Sequence, residues 1–344
     1  ISVLAFISDA NDYVDIHTYG LANEAWLRTF LSLEHGIASV DTFERVFSIL
    51  RPDVWQSRFS QWTRDTVLAE VDAEWDEVIA VDGKTSRGSH DAGLAALHTV
   101  SAWSSYGGIV LAQEDVPDKS NEITVIPDLL SVVNPAGAVV TCDAMGTQKA
   151  IAWTIRECEA DYLLALKDNH PKLFEDVQWL FSHADQSQWQ DIPHSYSMTQ
   201  ERSRDRVEQR ECWVLDELDL LEQRSQWRDL HSIVRVRSTR THKETNTSHD
   251  RFYISSLAAD AERVLHAART HWGIENSLHW VLDVVFKEDA SRARKDNAQA
   301  NLVSLRHTAL NILKQDKTAK TSIKARRKRA GWDRDYLLSL LRLG

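Results

Sequence analysis

Three acidic residues stand where acids do chemistry. Asp82 follows the apolar run Val78-Ile79-Ala80-Val81, and Asp143 follows Ala138-Val139-Val140-Thr141-Cys142. Both runs read as short buried strands, and ligands of open α/β sheets bind beyond strand ends. If the two strands are neighbours, their carboxylates converge. Converging carboxylates repel and require a cation or a shared proton. Mg2+ is the natural partner, because it takes carboxylate, water and phosphate oxygens. The plainer alternative is that each Asp only caps the next turn. The third acid, Glu275, lies in His271-Trp272-Gly273-Ile274-Glu275-Asn276. In a helix, His271, Glu275 and His279 would share one face. A zinc site is disfavoured because the His-Glu-x-x-His pattern is absent. A solvated glutamate is the ordinary alternative. Against it, Trp272 and Ile274 bracket Glu275, and Gly273 would thin the helix where something approaches closely.

These acids need elements to hold them. Residues 19–60 predict helices, with Ala25-Trp26-Leu27 and Phe30-Leu31 at helical spacing, a break at Gly36, and Ser39 or Asp41 as the next cap. Two helices around a glycine turn are either a helix-turn-helix or plain helical packing. The texture changes after Trp75. Strands are expected at Leu97–Trp103 and Gly108–Ala112 around a Tyr106-Gly107-Gly108 turn, and at Tyr162–Leu166. Helices are expected at about Glu122–Val132 and Thr147–Glu159, and another from Lys172 to about Ser182. Polar strands at Arg210–Val214 and Ser232–Arg237 mark a β-rich insertion, before Asp250–Ser255 returns to the main sheet. One long helix is expected over Ala261–Glu288, with Val264, Ala268, Trp272, Leu278 and Leu282 facing inward. Alternating helices and strands imply a mixed sheet with helices on both faces. The segments are 1–74, helical; 75–189, the first part of the core; 190–248, the insertion; 249–310, the return strand and glutamate-bearing helix; and 311–344, a basic region.

With 344 residues and 43% hydrophobic content, the chain can bury a large core or two smaller ones. No apolar run is long enough to span a bilayer. Cys142, Cys158 and Cys212 lack CxxC spacing, so neither a zinc knot nor a disulfide framework is expected. Free cysteines fit a reducing cytoplasm. The chain begins at Ile1, so residues that precede it in the natural protein are expected to be missing. A net charge of −11 argues against nucleic acid only if charge is evenly spread. It is not: Lys314, Lys317, Lys320, Lys324, Arg326, Arg327, Lys328 and Arg329 cluster with only Asp316 opposing them. That run is either a phosphate-contacting surface or a solvated helix face.

Several short motifs follow one another. Gly36-Ile37-Ala38-Ser39-Val40-Asp41-Thr42-Phe43 precedes Ala80-Val81-Asp82-Gly83-Lys84, Lys119-Ser120-Asn121-Glu122-Ile123 and Thr141-Cys142-Asp143-Ala144. Ala165-Leu166-Lys167-Asp168-Asn169-His170, Tyr253-Ile254-Ser255-Ser256-Leu257, the Glu275 segment, Leu282-Asp283-Val284, Ala330-Gly331-Trp332-Asp333 and Tyr336-Leu337-Leu338 complete the series. In this order, essentially end to end, they resemble the DDE transposases of bacterial insertion sequences, in the H-repeat-associated (ISAs-type) branch. The resemblance implies a ribonuclease-H-like α/β core with a β-rich insertion and helical N- and C-terminal regions. It implies DNA strand cleavage and strand transfer by Asp82, Asp143 and Glu275 as catalytic metal ligands. Two Mg2+ ions are expected, replaceable by Mn2+. Asp82 would bridge both, with Asp143 on one and Glu275 on the other. A nuclease that cuts without joining and an inactive domesticated DNA-binding protein are the alternatives. One departure stands out. Related transposases often carry Tyr, Arg and Lys where this chain has Ala268, His271 and Leu282. Phosphate contacts are therefore expected from Lys84, Lys167, His271, Asn276, Lys287, Arg292 and Arg294, and from Lys324, Arg326, Arg327, Lys328 and Arg329. The expected partners are terminal-repeat and target DNA, and a second copy of the chain on that DNA. The setting would be the bacterial cytoplasm, on the nucleoid.

Overall fold

The computed structural model describes residues 1–66, 77–90, 95–116, 122–203, 206–242, 245–318 and 320–341. Lys119, Ser120 and Asn121 of the Lys-Ser-Asn-Glu-Ile motif, and the 74/75 boundary, lie outside the described residues. The chain opens with helices α1 (Ser2–Ile7), α2 (Tyr13–Leu27), α3 (Val40–Ile49) and α4 (Pro52–Thr66). Strands β1 (Val78–Thr85), β2 (His98–Ser104) and β3 (Ile109–Val116) follow, then α5 (Glu122–Val133), β4 (Val139–Cys142), α6 (Lys149–Glu157), β5 (Asp161–Leu166) and α7 (Pro171–Gln186). Next come β6 (Ser195–Ser203), β7 (Arg206–Leu215), β8 (Ser232–His242), β9 (Thr245–Ser255) and α8 (Ala261–His271). A π-helical turn at Glu275–His279 leads into α9 (Trp280–Val284), α10 (Ala298–Gln315), α11 (Ile323–Trp332) and α12 (Arg334–Leu341). The strands form one mixed sheet in the order β3-β2-β1-β4-β5-β9-β8-β7-β6. The fold is α/β and ribonuclease-H-like, as expected.

The chain divides into two compact units. One comprises Ala73–Asp82 and Ile126–Trp272. Here β1 pairs in parallel with β4, and β4 with β5, while β9 runs antiparallel to β5. The central strands are buried on both faces, so they read as unbroken apolar runs. On one face, Val139, Leu163, Cys212, Val234 and Val236 pack against Val264, Leu265 and Ala268 of α8. On the other, Phe252 of β9 meets Phe174 and Phe181 of α7, with ring centroids 5.7 and 5.8 Å apart. Within the segment expected as the insertion, β8, β7 and β6 continue this sheet beyond β9, whose last residues are the expected return strand.

The other unit comprises Ile1–Asp72, Gly83–Val125 and Gly273–Gly344. Its centre is α10, which buries nearly every side chain. A helix buried all round must satisfy its own polar groups. Asn311 does so by bonding both Val110 N and Val110 O, at 3.0 and 2.7 Å. Among the N-terminal helices, Gly36 takes φ +75° and the Ser39 hydroxyl caps α3 by accepting from Thr42 N.

One expected element is corrected. Ala261–Glu288 is not a single helix: α8 ends at His271, and the chain then passes through a turn at Trp272 and the π-helical turn before α9. Just after the turn, Gly273 thins the chain where Trp103 approaches, since a Cβ there would lie 2.8 Å from that ring. Trp272 is accordingly not part of the inner stripe but 45% exposed, whereas Val264, Ala268, Leu278 and Leu282 are buried.

Candidate metal centre and its supports

The first two acids are built by strand pairing. Val81 registers with Cys142 across the parallel β1–β4 ladder, so Asp82 and Asp143 follow at equivalent places at the carboxyl ends of adjacent strands. Burial stops there: Val78–Val81 and Val139–Cys142 are buried, while both Asp residues are half-buried. The Asp143 carboxylate accepts from Gly146 N at 3.1 Å in an Asx-type turn, and among the described residues its other oxygen accepts no hydrogen bond.

The loop after Asp143 is tied down by a motif whose role the residue types alone did not disclose. Asn169 Nδ2 donates to Ala144 O at 2.5 Å, and His170 Nε2 lies 2.6 Å from Thr147 O. The Thr147 hydroxyl sits 3.1 Å from Asp143 O and 2.5 Å from Ala165 O. The Ala165–His170 motif thus fixes the Asp143 loop, leaving Lys167 exposed at the end of β5.

Glu275 opens the π-helical turn in the other unit. Its side chain is 60% exposed, and Oε2 lies 3.1 Å from Nδ1 of buried His279. His271 closes α8, where Nδ1 is 2.9 Å from the buried Thr141 hydroxyl. Glu275 and His279 thus meet on one face, as expected, while His271 ends α8 in the unit that comprises Ile126–Trp272.

Lys84 is corrected from a DNA contact to an internal cation. Its Nζ lies 2.7 Å from Asp283, 3.1 Å from Glu288 and 3.4 Å from Asp289, and its side chain is only 11% exposed. Burial alone would lower its pKa, but Glu288, Asp283 and Asp289 outweigh it and hold the ammonium above the ordinary lysine value. Burial pushes the Asp283 carboxyl up, whereas Lys84 and Arg306 draw Glu288 down against its own burial. These acids were legible only as part of Leu282-Asp283-Val284 and as the acidic Glu288-Asp289 pair.

The opposite face of β1 carries Gly83 and Thr85. Thr85 Oγ1 lies 2.8 Å from His98 Nδ1, and His98 Nε2 lies 2.5 Å from Glu122 Oε1, both partners being buried. A Cβ on Gly83 would fall within 3 Å of both His98 and Glu122, so glycine is required by close approach. The strand end that carries Asp82 is held through its next residues on both faces.

The other expected phosphate contacts divide. Asn276, Lys287 and Arg292 are exposed, while half-buried Arg294 reaches Gly88 O at 3.3 Å. The basic run is split by burial. Arg327 is 0% exposed and donates to Phe6 O, Ala10 O and Val285 O at 3.0, 2.6 and 2.5 Å, so it cannot meet DNA. Arg326 is turned onto Leu313 O and Asp316 O at 2.8 and 2.7 Å. Arg329 pairs with Asp333 at 3.4 Å. Lys324, Lys328 and Arg329 remain exposed. No described helix is long and apolar enough to cross a membrane.

Known proteins supply a family. Residues 76–312 match the Transposase DDE domain family, and residues 1–63 match a family described as DDE_Tnp_1-associated. The chain is 37% identical to "Putative transposase YncI" of Escherichia coli O157:H7, across 99% of this chain and 87% of that protein. It is 35% identical to "H repeat-associated putative transposase YhhI" of Escherichia coli strain K12, across 99% and 90%. A Xanthobacter autotrophicus protein described as "Uncharacterized protein in dhlA 3'region" is 38% identical across 76% and 86%. With the Transposase DDE domain match spanning more than two thirds of its length, the chain belongs to that family.

Proposed function

We propose that this protein is a DNA transposase that cleaves DNA at the ends of an insertion sequence and joins the released end to target DNA. The observation that carries this reading is the placement of Asp82 and Asp143 at the carboxyl ends of adjacent parallel strands. Glu275 follows in the family's order. The donors fit a hard divalent cation: Asp82, Asp143 and Glu275 offer carboxylate oxygens, and at Asp143 only one oxygen is engaged among the described residues. Asp82 would serve two Mg2+ ions, Asp143 one and Glu275 the other, with Mn2+ as a substitute. Bound there, the ions would activate the attacking oxygen and stabilise the leaving one.

The protein's own task is to hold those oxygens still. Asn169, His170 and Thr147 fix the Asp143 loop. Lys84 and the His98–Glu122 pair fix the residues after Asp82. Phosphoryl transfer asks mainly for such positioning and charge stabilisation. Exposed Lys167, Asn276, Lys287 and Arg292 would grip phosphates, on a second copy of the chain as well as the first, in the bacterial cytoplasm.

The test is a strand-transfer assay with duplexes carrying the DNA that flanks the gene, in Mg2+. Joined products support the transposase. Cuts without joining would make the protein a nuclease, and binding without cuts a domesticated DNA-binding protein.

A further inference from the structure

The insertion presents two faces of different charge. Beyond the end of α8, its outward part forms three cross-strand rows on the α8 side. Thr199, Arg210, Ser238 and His249 make the first, Glu201, Glu208, Arg240 and Thr247 the second, and Ser203, Arg206, His242 and Thr245 the third. The face is identified by the next row inward, where Cys212 and Val236 lie beneath α8. Apart from two glutamates, these rows hold only arginine, histidine, serine and threonine.

The arginines outnumber the acids that orient them. Arg206 Nη2 lies 2.6 Å from Glu208, Arg210 Nη2 lies 2.8 Å from Glu208 and Arg240 Nη2 lies 3.6 Å from it. Arg210 also reaches Glu201 at 3.3 Å, and Arg269 of α8 pairs with Glu201. Four guanidinium groups therefore share two carboxylates. Arg251 adds a fifth, lying over exposed Trp272 at 4.5 Å. Counted on the strands alone, as for the opposite face, Arg206, Arg210, Arg240 and Arg251 stand against Glu201 and Glu208, a formal +4 against −2 among the described residues. The opposite face carries Arg202 and Arg237 against Glu211 and Asp250, a balance of zero. In a chain of net charge −11, this is a local reversal of sign.

We infer that the α8-side face of the β6–β9 extension binds the phosphate backbone of duplex DNA, an inference that rests on the transposase reading. The glutamates pre-orient planar guanidinium forks that suit phosphate oxygens. The flanking serines and threonines supply the neutral donors common in backbone contacts. Arg206 and Arg210, four residues apart on one strand, both reach the Glu208 carboxylate, so their guanidinium groups converge and present a concentrated positive charge to one stretch of backbone. The contact carries no base readout, so it should be indifferent to sequence.

The experiment measures binding of the full chain to mixed-sequence duplex DNA by fluorescence anisotropy over a range of salt. The variants are Arg206→Gln/Arg240→Gln, Arg240→Gln alone and, on the opposite face, Arg202→Gln. The Arg240 and Arg206 side chains are 53% and 43% exposed, so the fold should tolerate the changes. The double variant should bind roughly tenfold or more weakly, with a log affinity–log salt slope flatter by about 1.8, at about 0.9 per lost contact. Arg240→Gln alone should show about half that change in slope, and Arg202→Gln none. Wild-type binding with a double variant no weaker than Arg202→Gln would overturn the surface alone. Absence of binding by the wild-type chain would overturn the transposase reading and the surface with it.

Discussion

Lys84 Nζ lies 2.7 Å from Asp283 Oδ1, joining the strand that bears Asp82 to the segment that follows the Glu275 turn. Lys84 faces two further carboxylates, Glu288 and Asp289, and it is nearly buried. Lys84→Met would leave these acids without their nearest cation. Stripping a buried charge of its partner costs about 3–5 kcal/mol. The expected outcome is a large fall in unfolding free energy in urea, with the salt slope of DNA binding unaltered in whatever fraction stays folded. A flatter slope at wild-type stability would return Lys84 to the DNA surface.

Asp82→Asn, Asp143→Asn and Glu275→Gln should each abolish strand cleavage in Mg2+ while binding DNA as the wild type does. The amides keep the shape but lose the negative charge that a hard cation requires. Thermal midpoints should move little, because Glu275 is exposed and the two Asp side chains are only half-buried. Cleavage near the wild-type rate by any one variant removes that residue from the centre.

The basic C-terminal run should behave as two kinds of residue. Arg327→Met should destabilise the fold by about 3–5 kcal/mol, because three buried backbone carbonyls lose their donor. Lys324→Ala/Lys328→Ala should leave the unfolding free energy unchanged and flatten the salt slope by up to about 1.8 if both meet phosphates. An unchanged slope would assign Lys324 and Lys328 to a solvated face.

His307 should leave a mark on acid stability. It is buried in α10 beside Gln113, and burial pushes its pKa down to about 4 from the ordinary histidine value of 6.5. The unfolded chain therefore binds a proton that the folded chain refuses. This contribution is present above pH 6.5 and lost as pH falls towards 4, a change of about 3 kcal/mol. Asp115 acts in reverse. Burial outweighs its bonds from Thr99 and Gln56 and raises its pKa to about 6, so its contribution grows as pH falls through that value. The two offset each other in the wild type. Urea unfolding of His307→Gln, compared with wild type at pH 7 and pH 4.5, should show the variant gaining stability relative to wild type on acidification. A pH-independent difference between the two proteins would refute the assignment.

Much of the strand framework was legible in the order of residues. Val78–Val81 and Ala138–Cys142 are apolar without interruption because each is covered on both sides, so both strands and the acids at their ends could be read from period and punctuation. Ser39 as a cap and Gly36 as a break follow from local backbone chemistry, which needs no distant partner. Tertiary structure decided what depends on distant packing. The helix expected from Ala261 to Glu288 has good periodicity, yet it is interrupted by a turn at Trp272, which faces outward, and Gly273 is required where Trp103 packs close. Lys84 and Arg327 look like any other basic residues in a sequence. Only the fold brings Asp283, Glu288 and Asp289 to the first, and the carbonyls of Phe6, Ala10 and Val285 to the second. A charge's role is set by whether water or protein completes its coordination, and that is a property of packing, which residue spacing does not record.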